Sequence, residues 1–204
     1  MTPFRIQREE LNVEKIGFLK NLIILIWKGS NGEVSKTEDR LIEQVITEYY
    51  EAYFVGFKGY SASQRDALHK KFLIETATQG SATDTNEEVE ARINKRIKEM
   101  EDRRKALKVK ELSFNSFYEY STQRIPYICN ENKIASIDIS TYNYMLMDFY
   151  RGGSHERTLN ENLDSTLFDE TFIVFEIDTI KDDPLLFPLV TLIIMDVFIQ
   201  KMRI

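Results

Sequence analysis

The stretch Phe172 to Ile204, FIVFEIDTIKDDPLLFPLVTLIIMDVFIQKMRI, restricts the fold more than any other. Its first six residues are mostly apolar and β-branched or aromatic, the pattern of a strand buried on both faces. After an acidic turn, thirteen of the fifteen residues from Leu185 to Ile199 are apolar when Pro188 is counted, which predicts a buried helix over 185–203. A strand followed by such a helix normally leads to another parallel strand, so the pattern predicts one strand of a larger sheet. Neither Leu185–Ile199 nor Leu22–Trp27 reaches the roughly 18 to 20 apolar residues of a membrane span, and the longer stretch contains Pro188 and Asp196. No transmembrane segment is therefore expected. Met1 leads into TPFRIQREE, which lacks a cationic, apolar signal region, so no signal peptide is expected either.

The rest of the sequence reads as helices. An apolar period from Leu11 to Ile26 ends at Gly29-Ser30-Asn31-Gly32. Ser35 and Glu38 fit a capping box before the stripe Leu41, Ile42, Val45, Ile46, Tyr49, Tyr53. A third helix spans Ser63 to about Glu75, and Thr76–Glu88, which contains no large apolar residue, is predicted to be a loop, mobile over Thr78–Thr85. A polar helix from about Glu87 to Leu112 shows a narrow stripe of Val89, Ile93, Ile97, Met100 and Leu107. Its Glu88/Arg92, Glu99/Arg103 and Glu101/Lys105 pairs are spaced i, i+4. A helix from Phe114, with a Ser116/Glu119 box, is expected to stop before Pro126. The stripe Tyr142, Met145, Leu146, Phe149 predicts a sixth helix closed by Gly152-Gly153.

Charge is unevenly spread along the chain. The net charge is −6, yet Arg92–Lys110 holds nine Lys or Arg against three acids, so the remaining residues sum to −12. That basic stretch has no interleaved aromatics for base stacking and reads as a solvated helix face, not a specific nucleic-acid site. Cys129 is the single cysteine, and with only His69 and His155 beside it no Cys/His zinc cluster can form.

Three stretches bear on chemistry. GSNGEVSKT, Gly29 to Thr37, ends in Lys-Thr like a phosphate loop, but Ser30 and Ser35 stand where G-x-x-x-x-G-K-[ST] needs glycine. It reads as a helix-helix loop. Glu176 and Asp178 share one face of the expected strand near its C-terminal end, with Lys181 following; without further ligands they are a weak signal for metal or acid-base chemistry and read as a structural strand end. Arg151 and Arg157 flank Gly152-Gly153 in what could be an anion-contacting loop or a plain helix stop. These five residues are candidate core or intersubunit contacts, and no catalytic, cofactor-binding or metal residue is assigned.

FNSFYEY (Phe114–Tyr120), FYRGG (Phe149–Gly153), the run from Leu159 to Arg203 and the opening TPF resemble TraG-type conjugative-transposon ATPases, hexameric motors related to the largest ATPase of type IV secretion systems. The resemblance is dispersed over nearly the whole chain and dense from Phe149 onward. In that family the Walker A loop precedes the segment matching TPF, and the Walker B strand follows the segment matching FIQKMR. The resemblance implies a mainly α fold: a core-edge segment at 1–8, a helical insert at 9–153, and a strand-helix piece of a RecA-like α/β P-loop core at 154–204, with its strand at 172–177 and its helix at 185–203. It implies a segment of a cytoplasmic motor at the inner face of the membrane, with other motor copies and conjugation-apparatus proteins as partners. ATP and magnesium are expected for the full-length family member, and no cofactor for this chain. A stand-alone helical module contacting protein or DNA, without nucleotide chemistry, is the alternative.

Overall fold

The apolar period near the N-terminus becomes helix α1 (Val13–Lys28), started by the Asn12 side chain, which accepts from the Lys15 amide. The computed structural model describes residues 2–79, 85–135, 137–161 and 173–202. Helix α2 (Lys36–Phe54) follows, then α3 (Ala62–Gln79), α4 (Asn86–Ala106), α5 (Phe114–Asn132), α6 (Ile139–Met147), a short α7 (Glu156–Asn160) and α8 (Leu186–Lys201). The chain divides into two units, one built from Met1–Phe54 and Val109–Ile204, the other from Val55–Lys108.

In the first unit, α1 packs against α2, α6 and α8, and α5 packs against α2, α6 and α7. Leu19, Leu22, Ile23 and Ile26 of α1 are wholly buried. An aromatic cluster fills the space between α2 and α5. The Phe4 ring lies 5.6 Å from Phe114 and 5.0 Å from Phe117, and Tyr49 meets Phe117 edge-on at 5.4 Å. Tyr50 donates its hydroxyl to the Phe4 carbonyl at 2.9 Å, so the N-terminal TPF is a plug in the core. A buried ion cluster crosses the same region. Arg124 of α5 donates through Nε to Glu48 of α2 at 2.6 Å and through Nη1 to Glu131 at 3.2 Å.

The second unit pairs α3 with α4 around Phe72, Ile93, Ile97 and Met100, with Tyr60, Leu68 and Val89 at the margin. Arg96 lies 3.9 Å over the Phe72 ring and bonds Glu75 at 3.0 Å. Glu101, read as a surface partner of Lys105, turns inward instead, accepting from the Tyr60 amide at 2.9 Å and from Arg65 at 2.7 and 2.6 Å. Gly59, at φ +113°, lets the backbone pass close to that carboxylate.

Several expected boundaries shift, each for a local reason. Helix α5 runs through Pro126 to Asn132. A proline inside a helix costs about 3 kcal/mol, and the burial of Ile125, Ile128 and Cys129 on either side offsets it. The α5 capping box lies one turn earlier than Ser116/Glu119: the Ser113 hydroxyl accepts from the Ser116 amide, and Ser116 answers at the Ser113 amide. This start brings both Phe114 and Phe117 into the core. Helix α4 stops at Ala106, because Leu107 leaves helical dihedrals at ψ 92°. The sixth helix ends at Met147, and Phe149 is buried from the turns that follow. Thr76–Gln79 belongs to α3, Thr85 caps α4, and 80–84 lie outside the described residues.

The strand expected at 172–177 is corrected. Phe172 lies outside the described residues, and 173–177 are not paired into a strand; no strand occurs among the described residues. A strand exists only through a neighbour's backbone groups. Here the side chains alternate: Ile173, Phe175 and Ile177 are half-buried, whereas Val174 and Glu176 are exposed. Phe175 meets Phe198 of α8 at 5.9 Å.

Truncating Arg124 leaves the buried Glu48 carboxylate without its guanidinium, retaining the neutral Gln44 donor, so Arg124→Ala is expected to cost about 3 to 5 kcal/mol in urea unfolding. A loss below about 1 kcal/mol, the level of an exposed pair, would contradict the buried cluster. The buried tyrosines predict alkaline sensitivity. Burial, chiefly, pushes the Tyr49 phenol from 10.0 to about 12, and it also raises Tyr50 and Tyr142. For a phenol raised on folding, stability is fully present below the unfolded pKa near 10 and is lost as pH rises through the folded value. The urea midpoint should hold to pH 10 and fall toward pH 12, with a shallower fall in Tyr49→Phe.

Candidate functional site

The Gly29–Thr37 loop is a tight link between α1 and α2. Gly29, at φ +72°, donates its amide to Leu25 at 2.9 Å and ends α1. A Cβ on Gly32 would lie 2.2 Å from the Lys28 carbonyl oxygen, so only glycine fits there. The free amides at the start of α2 are capped from within. The Ser35 amide donates to Glu38 Oε2 at 2.9 Å, and the Glu38 amide donates to the Ser35 hydroxyl at 3.2 Å. Glu38 Oε1 takes the Lys28 ammonium at 2.6 Å. Burial raises the Glu38 carboxyl, but the hydrogen bonds from Lys28 and Ser35 prevail and hold it below its ordinary value.

A helix N-terminus attracts anions through exposed amides and its dipole. At α2 that place already holds a carboxylate, so an incoming phosphate meets a like charge. Lys36 is exposed on the first turn. The residues of this loop do not fit a nucleotide's phosphates.

The other sequence-selected residues lie at the surface. Asp178 faces Lys181 at 3.9 Å with both side chains largely exposed, and Glu176 is exposed on the same side of the segment as Val174. Asp183 caps α8, accepting from the Leu185 and Leu186 amides at 2.8 and 2.7 Å. Those bonds, Leu186 first, lower its carboxyl below the usual range.

Arg151 lies 5.9 Å from the Tyr150 ring, and Arg157 pairs with Glu161 at 3.5 Å on an exposed surface. Four amides of the loop between them, those of Gly152, Gly153, His155 and Glu156, are committed. Gly152, at φ +83°, donates to Glu156 at 2.8 Å, and His155 donates to the Asp148 carbonyl at 2.9 Å. Among the described residues, no group of three or more His, Cys, Asp or Glu is placed to hold a metal, and no helix is long and apolar enough to cross a membrane.

Two buried charge sites went unread in the sequence, Arg124 with Glu48 and Glu131, and Lys15 with Asp196. The first had a signal: Arg124 interrupts the buried face formed by Tyr120, Ser121, Ile125 and Ile128. The second had half of one, since Asp196 is the only acid in an apolar helix.

By fold the molecule is a mainly helical protein, and by sequence residues 53–204 match the model of the TraG P-loop domain. The chain belongs to that family, a conjugation-associated group of P-loop ATPases. No curated protein and no solved structure matches it.

The α2 cap yields a test. Ser35→Ala is expected to cost about 1 kcal/mol, as lost N-caps do. A carboxylate lowered on folding stabilises above its unfolded pKa and loses that contribution as pH falls through the folded value. Wild type should therefore lose stability below about pH 4.5, the ordinary Glu38 value, and Glu38→Gln should flatten part of that slope. Unchanged acid titrations in Glu38→Gln would contradict the cap.

Proposed function

We propose that this chain supplies the helical insert and part of the RecA-like core of a conjugative-transfer motor ATPase, and that it does not bind nucleotide by itself. Residues 9–153 form the insert, 154–204 belong to the core, and 1–8 are an edge segment. The match of residues 53–204 to the TraG P-loop domain carries this reading. Holding and hydrolysing ATP needs a backbone cradle, a lysine for the β- and γ-phosphates and groups for magnesium. The phosphate-like loop here gives its Ser35 amide to Glu38, a carboxylate that also takes the Lys28 ammonium just before the loop. In the working motor, ATP and magnesium are then held by the Walker segments flanking this one in the family's order.

The same reading places the protein in the cytoplasm at the inner face of the membrane, among other copies of the motor and proteins of the transfer apparatus. Arg151, Arg157, Glu176, Asp178 and Lys181 are its proposed core or intersubunit contacts. Their exposure leaves them available to such contacts.

Calorimetric titration with ATP and magnesium, paired with phosphate release, tests the proposal. The chain alone is expected to show neither tight binding nor turnover, and Lys36→Ala should change nothing. Activity should arise when the flanking Walker segments are joined to the chain. Tight magnesium-dependent binding that Lys36→Ala abolishes would overturn the reading.

A further inference from the structure

Helix α8 is turned inside out relative to an ordinary surface helix. At 3.6 residues per turn, Leu189, Asp196, Val197 and Gln200 fall on one side, and Phe187, Met195, Phe198 and Met202 on the other. The side carrying Asp196 and Gln200 faces the interior: Leu189 and Val197 are 0% and 4% exposed. The opposite side, apolar apart from Thr191, whose hydroxyl donates to the Phe187 carbonyl, faces outward, with Met195 at 55% and Met202 at 78%.

Apolar burial does not explain this choice, because the hydrophobic effect is non-directional and either side of α8 could cover α1. The directional contact is Lys15 Nζ to Asp196 Oδ2 at 2.6 Å, with Gln200 donating to the same oxygen at 2.7 Å. Both charged side chains are withdrawn from water, at 7% and 14% exposure. Rotating α8 by half a turn would send Asp196 to solvent and strand the Lys15 ammonium in the interface, a heavy penalty for a buried charge. At the other end of α1, the Ser30 hydroxyl donates to the Pro184 carbonyl at 3.0 Å. That bond fixes α8 lengthwise and antiparallel to α1, but reaches only main chain before the helix begins.

We propose that Lys15–Asp196 is an orientation lock: it selects which side of α8 packs on α1, and so keeps the Phe187, Met195, Phe198 and Met202 face outward. This holds for the chain whether or not it serves a motor.

The test introduces single cysteines at Met195 and Val197 in the full chain and follows maleimide labelling by mass spectrometry. Buried Cys129 remains as an internal monitor of global opening. With the lock intact, Met195→Cys should label at least about tenfold faster than Val197→Cys, as an exposed site against one that needs local opening. In a Lys15→Met/Asp196→Leu background the ratio should fall to within about threefold while Cys129 stays slow, since the apolar pair preserves stability but not direction. The reversed pair, Lys15→Asp with Asp196→Lys, should restore the ratio. An unchanged ratio in the apolar background overturns the lock, as does a fall that the reversed pair fails to restore. Should Cys129 gain reactivity there, the isosteric Asp196→Asn background decides: a lowered ratio supports the lock and an unchanged one overturns it.

Discussion

The first unit depends on one helix that cannot face water. Helix α1, VEKIGFLKNLIILIWK, buries Leu19, Leu22, Ile23, Ile26 and Trp27, a wider arc than one neighbouring helix can cover. Its partners α2, α6 and α8 come from both ends of the sequence, so covering α1 brings distant segments together. Charge then sets the details that burial leaves open. Lys15 in the first turn takes Asp196 of α8, and Lys28 in the last turn takes Glu38 of α2. The two lysines peg two helices to opposite ends of the same core rod. Trp27 adds a third attachment, meeting Tyr142 of α6 edge-on at 5.4 Å while Lys28 lies 4.2 Å over its ring.

A second centre is aromatic with polar tips. Tyr49 and Tyr50 are adjacent on α2 and wholly buried, and each hydroxyl finds a partner outside its own helix. Tyr50 fixes the N-terminal plug at Phe4. Tyr49 contacts the Ser116 hydroxyl at 2.6 Å, beside the Ser113 cap where α5 begins. Rings supply the buried area here, and the hydroxyls choose which backbone lies against it. The α5 start at Phe114 was read correctly but its cap was misplaced for this reason: Ser116/Glu119 satisfies the local capping pattern, whereas the structure uses the Ser113/Ser116 turn that also seats Phe114 and Phe117.

What the sequence revealed followed the range of the forces involved. The helices, their apolar stripes and the Ser35/Glu38 box were legible because spacing and capping act within a few residues. Pro126 misled because a local prohibition was outweighed by burial on both sides. Glu101 misled because its position suits an i, i+4 pair with Lys105, while Arg65 and the Tyr60 amide, distant in sequence, take its carboxylate inward. The candidate residues Arg151, Arg157, Glu176, Asp178 and Lys181 were locatable, and the structure leaves them at the surface, Arg157 beside Glu161 and Asp178 beside Lys181. Lys15–Asp196, separated by 181 residues, could not be read from spacing at all.

The segment 173–177 shows that a strand's composition does not by itself make a strand. Its composition fits a strand buried on both faces, yet Val174 is 73% exposed and only the Phe175 side finds an apolar neighbour. An extended backbone leaves amides and carbonyls that only a neighbouring strand can satisfy in a ladder, and composition cannot supply that neighbour. Helix α8 beside it has the same character, with Asp196 and Gln200 turned inward and a mostly apolar face outward. Under the proposed placement in a RecA-like core, one addition would answer both: a strand alongside 173–177 pairs the backbone, and the sheet it extends gives the outward face something apolar to meet. The orientation of α8 has to be settled before that can happen. A helix rotated by half a turn would present Asp196 to the sheet, and a lone carboxylate there would oppose docking more strongly than any single lost apolar contact.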